Sequence, residues 1–267
     1  YEGLFRDGLY HGEGTLFRGN GSKYISGKWV FGKPHGPVQF YFPDNGLLQY
    51  EGGLKKMDDG GFVFQGQVTL YNQTGQSVYQ GLWEDGTRSG NGTAWLEDGS
   101  IYSGNWVDDY PDGKGTYLFP DGTEYEGGFI RGKKHGQGTF KEADGFVSYD
   151  GEWKDDKKFG RGRVNKRDSS SYDGDWLDGK PHGNGMFTYP DGRVYTGTMK
   201  QGLRQGLGEL RRSDGSIAYE GEWDKNLRHG KGKAYSASGL IKFDGDFFEG
   251  YQSGTGSEYR DDGTLYY

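Results

Sequence analysis

The run YEGGFIRGKKHGQGTFKEADGFVS, Tyr125 to Ser148, is followed at once by YDGEW at Tyr149, and the return of its opening phrase decides the fold. Within it a ring, a glycine and a second ring stand at every second residue, Tyr125, Gly127 and Phe129. A period of two is a strand. Gly136, Gly138 and Phe140 alternate in the same way and mark a second strand. Gly132 between them supplies backbone that tolerates a left-handed turn.

Working outward, the phrase recurs every 23 or 24 residues over most of the chain, in eleven copies starting near 1, 25, 50, 79, 102, 125, 149, 172, 195, 219 and 243, and Tyr267 opens a further copy. Each copy opens on Tyr except at Ile25 and Phe243, and glycine follows two residues later in every one. The turn centre is Gly8, Gly32, Gly86, Gly132, Gly179, Gly202 or Gly250, or else Asp109, Asp156 or Asn226, residues that tolerate positive φ. Asp-Gly pairs at Asp98, Asp121, Asp191 and Asp214 join the copies and are the strongest short hairpin signal. The expectation is an all-β chain, one array over residues 1–267: an elongated, twisted, single-layer antiparallel meander of about 22 strands, on the order of 100 Å long.

A single layer has no second sheet to cover it. Rings laid over bare glycine backbone bury aromatic area within the layer, which makes the Tyr and Trp ladder first of all the core. Collectively the ladder is also expected to line an apolar groove for partners, at Tyr102, Trp106, Tyr125, Phe129, Tyr149, Trp153, Tyr172 and Trp176. The pentapeptide GKPHG, at Gly32 and again at Gly179, falls on the turn and the entry to the second strand. Gly32 and Gly179 are expected to make the bend, Gly36 and Gly183 to leave room for a ring, and the adjoining histidine to serve the turn.

Composition supports this scheme. Of 267 residues 53 are glycine, and the 31 % apolar fraction is dominated by 21 Tyr, 16 Phe and 7 Trp, too few aliphatics for a compact core and too many rings for disorder. Without cysteine there is no disulfide or thiolate site, and a reducing, cytoplasmic compartment is expected. The sequons at Asn20, Asn72 and Asn91 then read as chance, and no signal peptide or apolar run of membrane-spanning length is present. A formal charge of −7 is the wrong sign for nucleic acid.

Chemical motifs are not found outside the repeat. His11, His35, His135, His182 and His229 occupy one position in different copies, about 10 Å apart at least, too far to share a metal. DDYPDG at Asp108 lacks the oxygen ligands of a calcium loop, with Tyr110 and Phe119 where they are needed. The recurring Gly-x-Gly has no P-loop Lys-Ser/Thr, and no Ser-His-Asp set stands apart, so no catalytic residue, metal or cofactor is assigned.

YEGEW at Tyr219 with HGKGKAY after it, and YEGGF with HGQGTF in the copy at Tyr125, resemble the MORN repeat (membrane occupation and recognition nexus) over essentially the whole chain. The resemblance implies an elongated antiparallel sheet serving as a scaffold or adaptor at cytoskeletal, ciliary or membrane-contact structures, often dimeric. In some members it implies a helix backing the sheet, a regulatory module of an enzyme, or association with phosphoinositides.

Several departures stand out. Copy three is stretched through residues 55–64, Val38 and Val68 replace a glycine, and the joint RDSSS replaces Asp-Gly; each is a candidate bend or altered contact. The chain starts on a repeat Tyr and stops at Tyr267, which suggests a piece of a longer protein or a dimer that covers its own ends. On the face opposite the ladder, Phe17, Tyr41, Tyr71, Trp95 and Leu118 form an apolar stripe in the first half, with Leu4 and Leu82 on the same side. The basic run KDDKKFGRGRVNKR offers Lys157, Lys158, Arg161 and Arg163 to anionic lipid or an acidic partner, unless Asp150 and Glu152 on the neighbouring strand consume Arg161 and Arg163. A non-catalytic scaffold holding a helical or extended protein segment is the expected function, with a homodimer among its partners; an anionic-lipid tether and the regulatory module of an enzyme lying outside this segment are the alternatives.

Overall fold

The computed structural model describes residues 1–58 and 60–266; Tyr267, with the further copy it would open, lies outside them. The described residues form 22 strands and no helix. They group into two units that meet in sequence at Lys133 and Lys134. In the first, strands β1 (Glu2–Arg6) to β11 (Glu124–Ile130) pair antiparallel, each with the next. In the second, β12 (Lys133–Lys141) to β22 (Tyr251–Glu258) do the same.

The copy at Tyr102 shows why this sequence makes a hairpin. β9 (Ile101–Val107) and β10 (Tyr110–Leu118) are joined by Asp108 and Asp109, both at positive φ, 48° and 69°. Two consecutive left-handed residues are the type I′ turn, whose twist matches that of the strands. The sequence placed this conformation on one turn residue; the structure puts it on two, including Phe31 (φ 49°) and Arg131 (φ 48°). The joints carry a different loop. Asp98 stays at negative φ and only Gly99 (φ 88°) is left-handed, while the Leu96 amide donates to the Ser100 carbonyl at 2.8 Å. Asp-Gly thus serves there as an Asx cap followed by a left-handed glycine. RDSSS keeps the same loop, with Ser169 (φ 66°) in the glycine's place and Asp168 accepting from the Ser170 amide at 2.9 Å.

Each hairpin also contains an irregularity that alternation conceals. Between the pairs Gly104↔Gly115 and Trp106↔Pro111 the second strand carries two extra residues, and Gly113 in that bulge has φ 93°. The same bulge glycine is Gly36 (φ 76°) and Gly183 (φ 62°) in the two GKPHG copies. A Cβ on Gly36 would meet nothing within 4 Å. The first glycine of Gly-x-Gly therefore answers to backbone conformation, which corrects its expected role as space for a ring. Room for the ring comes from the second glycine: a Cβ on Gly115 would lie 2.5 Å from the Tyr102 hydroxyl. Histidine is corrected as well, because His35 lies inside β4 (Lys33–Tyr41) and His182 inside β16 (Lys180–Thr188), each just before a bulge. Bulge amides are capped by the side chain preceding the second ring: Glu152 accepts from the Arg161 amide at 3.0 Å, Asp175 from Asn184 at 2.9 Å and Glu222 from Lys231 at 3.0 Å.

Departures from the repeat prove to be compensations. Copy three lengthens its hairpin by added pairs, Lys55↔Val63 and Lys56↔Phe62. Phe64 stacks on Tyr50 at 4.2 Å and meets Trp83 edge-on at 5.1 Å, standing in for the missing Trp. In copy two the shorter Ile25 replaces Tyr and Val38, 2 % exposed, fills the space above Gly27.

Carboxylates at the joints predict the acid limit of stability. Asp98, Asp121 and Asp191 accept backbone N–H bonds from Ser100, Thr123 and Arg193, and Asp214 accepts the Ser216 hydroxyl; these bonds hold all four below the ordinary carboxylate range. Asp246, bonded first by Lys231 and then by Thr255, is lowered to about 2. Lowered folded pKa values mean the unfolded chain binds the protons, so this stabilisation is complete above the unfolded value near ~4 and lost as pH falls below it. Melting temperature should be flat from pH 7 to about 5 and fall between about 4 and 2; a flat profile down to about pH 2 would contradict the assignment.

Candidate partner-binding surface

The ladder is a core. Tyr102, Trp106, Tyr125, Phe129, Tyr149, Trp153, Tyr172 and Trp176 are all buried, between 0 and 7 % exposed. Tyr102 donates its hydroxyl to the Asn105 carbonyl at 2.8 Å, across Gly104 and Gly115, and Tyr149 does the same to Glu152 at 2.9 Å. Burial pushes the hydroxyls of Tyr79, Tyr172, Tyr195 and Tyr219 up to about 12. Trp106 donates Nε1 to the Gly92 carbonyl at 3.1 Å and meets Tyr79 and Tyr102 edge-on at 5.6 and 5.1 Å. Side chains with so little surface cannot form the wall of a partner groove, which corrects that part of the expectation.

Sequence reasoning missed what seals the ladder. The tenth residue of a copy lies over the rings: Arg88 is 4.2 Å from the Trp106 ring, Lys158 4.8 Å from Tyr149 and 5.0 Å from Trp176, and Arg204 4.0 Å from Trp223. A cation on a ring face is favourable and its aliphatic stem covers the ring edge. The signal was present in the recurring Arg or Lys at that position.

The basic run does not form one patch. Lys158 faces the ladder, opposite Trp153, whereas Lys157, Arg161 and Arg163 face the other side. Lys157 pairs with Asp178 at 3.3 Å, and Arg161 with Asp175 at 3.4 Å and Asp173 at 3.9 Å. Arg163 donates to Asn165 at 3.0 Å. The carboxylates that engage the Arg161 guanidinium come from the following strand, not from Asp150 and Glu152 as expected, and Glu152 takes only the Arg161 backbone amide. Among the described residues no three His, Asp or Glu side chains gather as a metal set.

The outer stripe of the first unit is brought together by register. Phe17, Tyr41, Tyr71, Trp95 and Leu118 each occupy the last position of a second strand, and their partners across the joint are Lys23, Leu48, Ser77, Ile101 and Glu124. Leu48 and Ile101 extend the stripe and were missed because they precede the opening Tyr of their copies. The four aromatics are half-buried, and Leu118 is 37 % exposed. Beside Trp95 a groove of about 690 Å³ is lined by Asn72, Gln76, Val78, Leu96 and Glu97. Leu4 and Leu82 lie elsewhere, against the bulge glycines Gly12 and Gly90 near the inner turns.

Comparison with known proteins follows the same divisions. The model of the MORN repeat matches residues 1–23, 26–47, 79–101, 102–124, 125–146, 149–164, 172–192, 195–217, 219–241 and 243–265, leaving out the stretched copy three. No curated protein matches the chain. Similar solved structures include the wild-type TCP10 domain of Danio rerio CPAP in complex with a peptide of Danio rerio STIL, at 15 % identity over 73 % of this chain and 98 % of that one, with a TM-score of 0.30. A mutant of the same domain is 16 % identical over 79 % of this chain and 90 % of that one, with a TM-score of 0.24. With ten matched repeats spread along its length and the paired glycine and ring geometry recurring through both units, this chain belongs to the MORN-repeat family.

Proposed function

We propose that this protein is a non-catalytic scaffold that holds a helical or extended segment of another protein on the outer stripe of its first unit. The observation that carries this reading is the alignment of Tyr41, Leu48, Tyr71, Trp95 and Ile101 along one row, half-buried, beside the groove at Trp95. A chain that buries its core rings on one face has no folding need for a second aromatic row on the other. Half-buried Trp and Tyr are the side chains that dominate protein interfaces. The cytoplasm is the compartment we assign to it, with the cysteine-free composition as support.

Trp95→Ser with Tyr71→Ser tests the reading. Proteins retained by the wild type should be identified, purified and rebound singly; the double variant should bind them at least roughly tenfold more weakly, with an unchanged far-UV spectrum. Undiminished binding by a folded double variant would remove the stripe from the account. Co-sedimentation with anionic liposomes that survives the double variant but is lost on charge reversal at Lys157 and Arg161 would support a lipid tether instead.

A further inference from the structure

The second unit carries a different surface, on its ladder face. There the Phe140↔Tyr149 and Tyr149↔Val164 pairs align three apolar side chains across β12, β13 (Val147–Lys154) and β14 (Lys157–Asn165). Phe140 and Val164, on either side of the buried Tyr149, border a groove of about 520 Å³ whose other walls include Lys158, Lys166 and Arg167. Glu142 is the one carboxylate among its lining residues. Nearby acids are already engaged: Asp144 holds Arg167 at 2.7 Å, Asp168 accepts from Ser170, and Asp178 holds Lys157 at 3.3 Å. Burial depresses the pKa of Lys158, and the positive charges of Lys134 and Lys166 add to the shift. A half-buried ammonium among like charges lowers its energy most by meeting an anion.

We infer that this groove binds an acidic protein segment in extended conformation, with a carboxylate on Lys158 and Lys166 and an apolar side chain against Phe140 and Val164. A peptide side chain can reach the recessed Lys158, whereas the flat surface of an anionic bilayer needs projecting cations. The inference lies beyond the outer-stripe reading, since it uses the other face and the other unit. Arg204 occupies the Lys158 position two copies later, beside a second groove of about 310 Å³ lined by Phe187, Met199 and Asn226, and its Nε lacks a partner. Four inter-strand spacings separate the two cations, about 19 Å, a span of about six extended residues. A second acidic residue should therefore stand about six positions from the first.

Panning a random twelve-residue phage-displayed peptide library on the full chain tests this directly. Selected peptides should be enriched in Asp and Glu beside an apolar residue. Synthetic copies should bind roughly tenfold more weakly to Lys158→Gln and to Lys166→Gln, and more weakly as salt is raised. Lys166 is exposed, so Lys166→Gln reports on binding even if Lys158→Gln loosens the fold. A library that yields no acidic enrichment, or acidic peptides that bind both variants as well as wild type, would overturn the inference. So would vesicles of about 30 % phosphatidylserine binding the chain through these same lysines while the peptides do not.

Discussion

Gly115→Ala should cost the first unit roughly 3 kcal/mol, and Gly36→Ala about 1 to 2 kcal/mol, although both remove a glycine from the second strand of a copy. On Gly115 the added methyl would lie 2.5 Å from the Tyr102 hydroxyl and 2.6 Å from a ring carbon. That hydroxyl is tied to the Asn105 carbonyl at 2.8 Å and the ring is 1 % exposed, so it has nowhere to go. On Gly36 the methyl meets no atom within 4 Å, and the cost is only that of holding an L-residue at φ 76°. Asparagine, which tolerates that conformation, should restore most of the loss at Gly36 and none at Gly115. Hydrogen-exchange protection of the flanking strands measures both; equal losses at the two sites would remove the division of labour between the paired glycines.

Trp106→Ala should destabilise its neighbourhood by about 3 to 5 kcal/mol, because the indole packs against two tyrosines, lies beneath Arg88 and donates to Gly92. The damage should stay local. Each strand pairs only with its sequence neighbours, so stability is a sum of adjacent terms rather than the property of one centre. Amide protection should fall across residues 79–118 while β2 (Leu9–Phe17) and β3 (Lys23–Val30) keep theirs. A uniform fall along the first unit would show a single cooperative core.

How much of this was legible follows from what the repeat shows and hides. Alternation at Tyr102, Gly104 and Trp106 exposes the strand because period two has no other source, and the spacing of 23 or 24 residues gives the hairpins and their order. The bulge stays hidden because Gly113 and Gly115 are the same letter two positions apart, although one answers to backbone conformation and the other to the Tyr102 ring. Turn type misleads for a related reason: Asp-Gly at Asp98 has the composition of a type I′ turn, but the joint uses a longer loop and the inner turn at Asp108 and Asp109 takes that form. Burial of the ladder could not be read from its own residues, since Arg88, Lys158 and Arg204 look like surface charges until their ring contacts are seen. The outer stripe was visible in Phe17, Tyr41, Tyr71, Trp95 and Leu118, whereas Ile101 joins it only through its pairing with Trp95.

The aromatics of this chain divide into a sealed ladder that holds the sheet and a half-buried outer row on the opposite face. Its seven tryptophans test that division directly, because six belong to the ladder, at 3 to 9 % exposure, and only Trp95 stands in the outer row. Hydroxyl-radical footprinting of the folded chain, read tryptophan by tryptophan, should oxidise Trp95 well ahead of Trp29, Trp83, Trp106, Trp153, Trp176 and Trp223. Comparable oxidation of the ladder tryptophans and Trp95 would contradict the account.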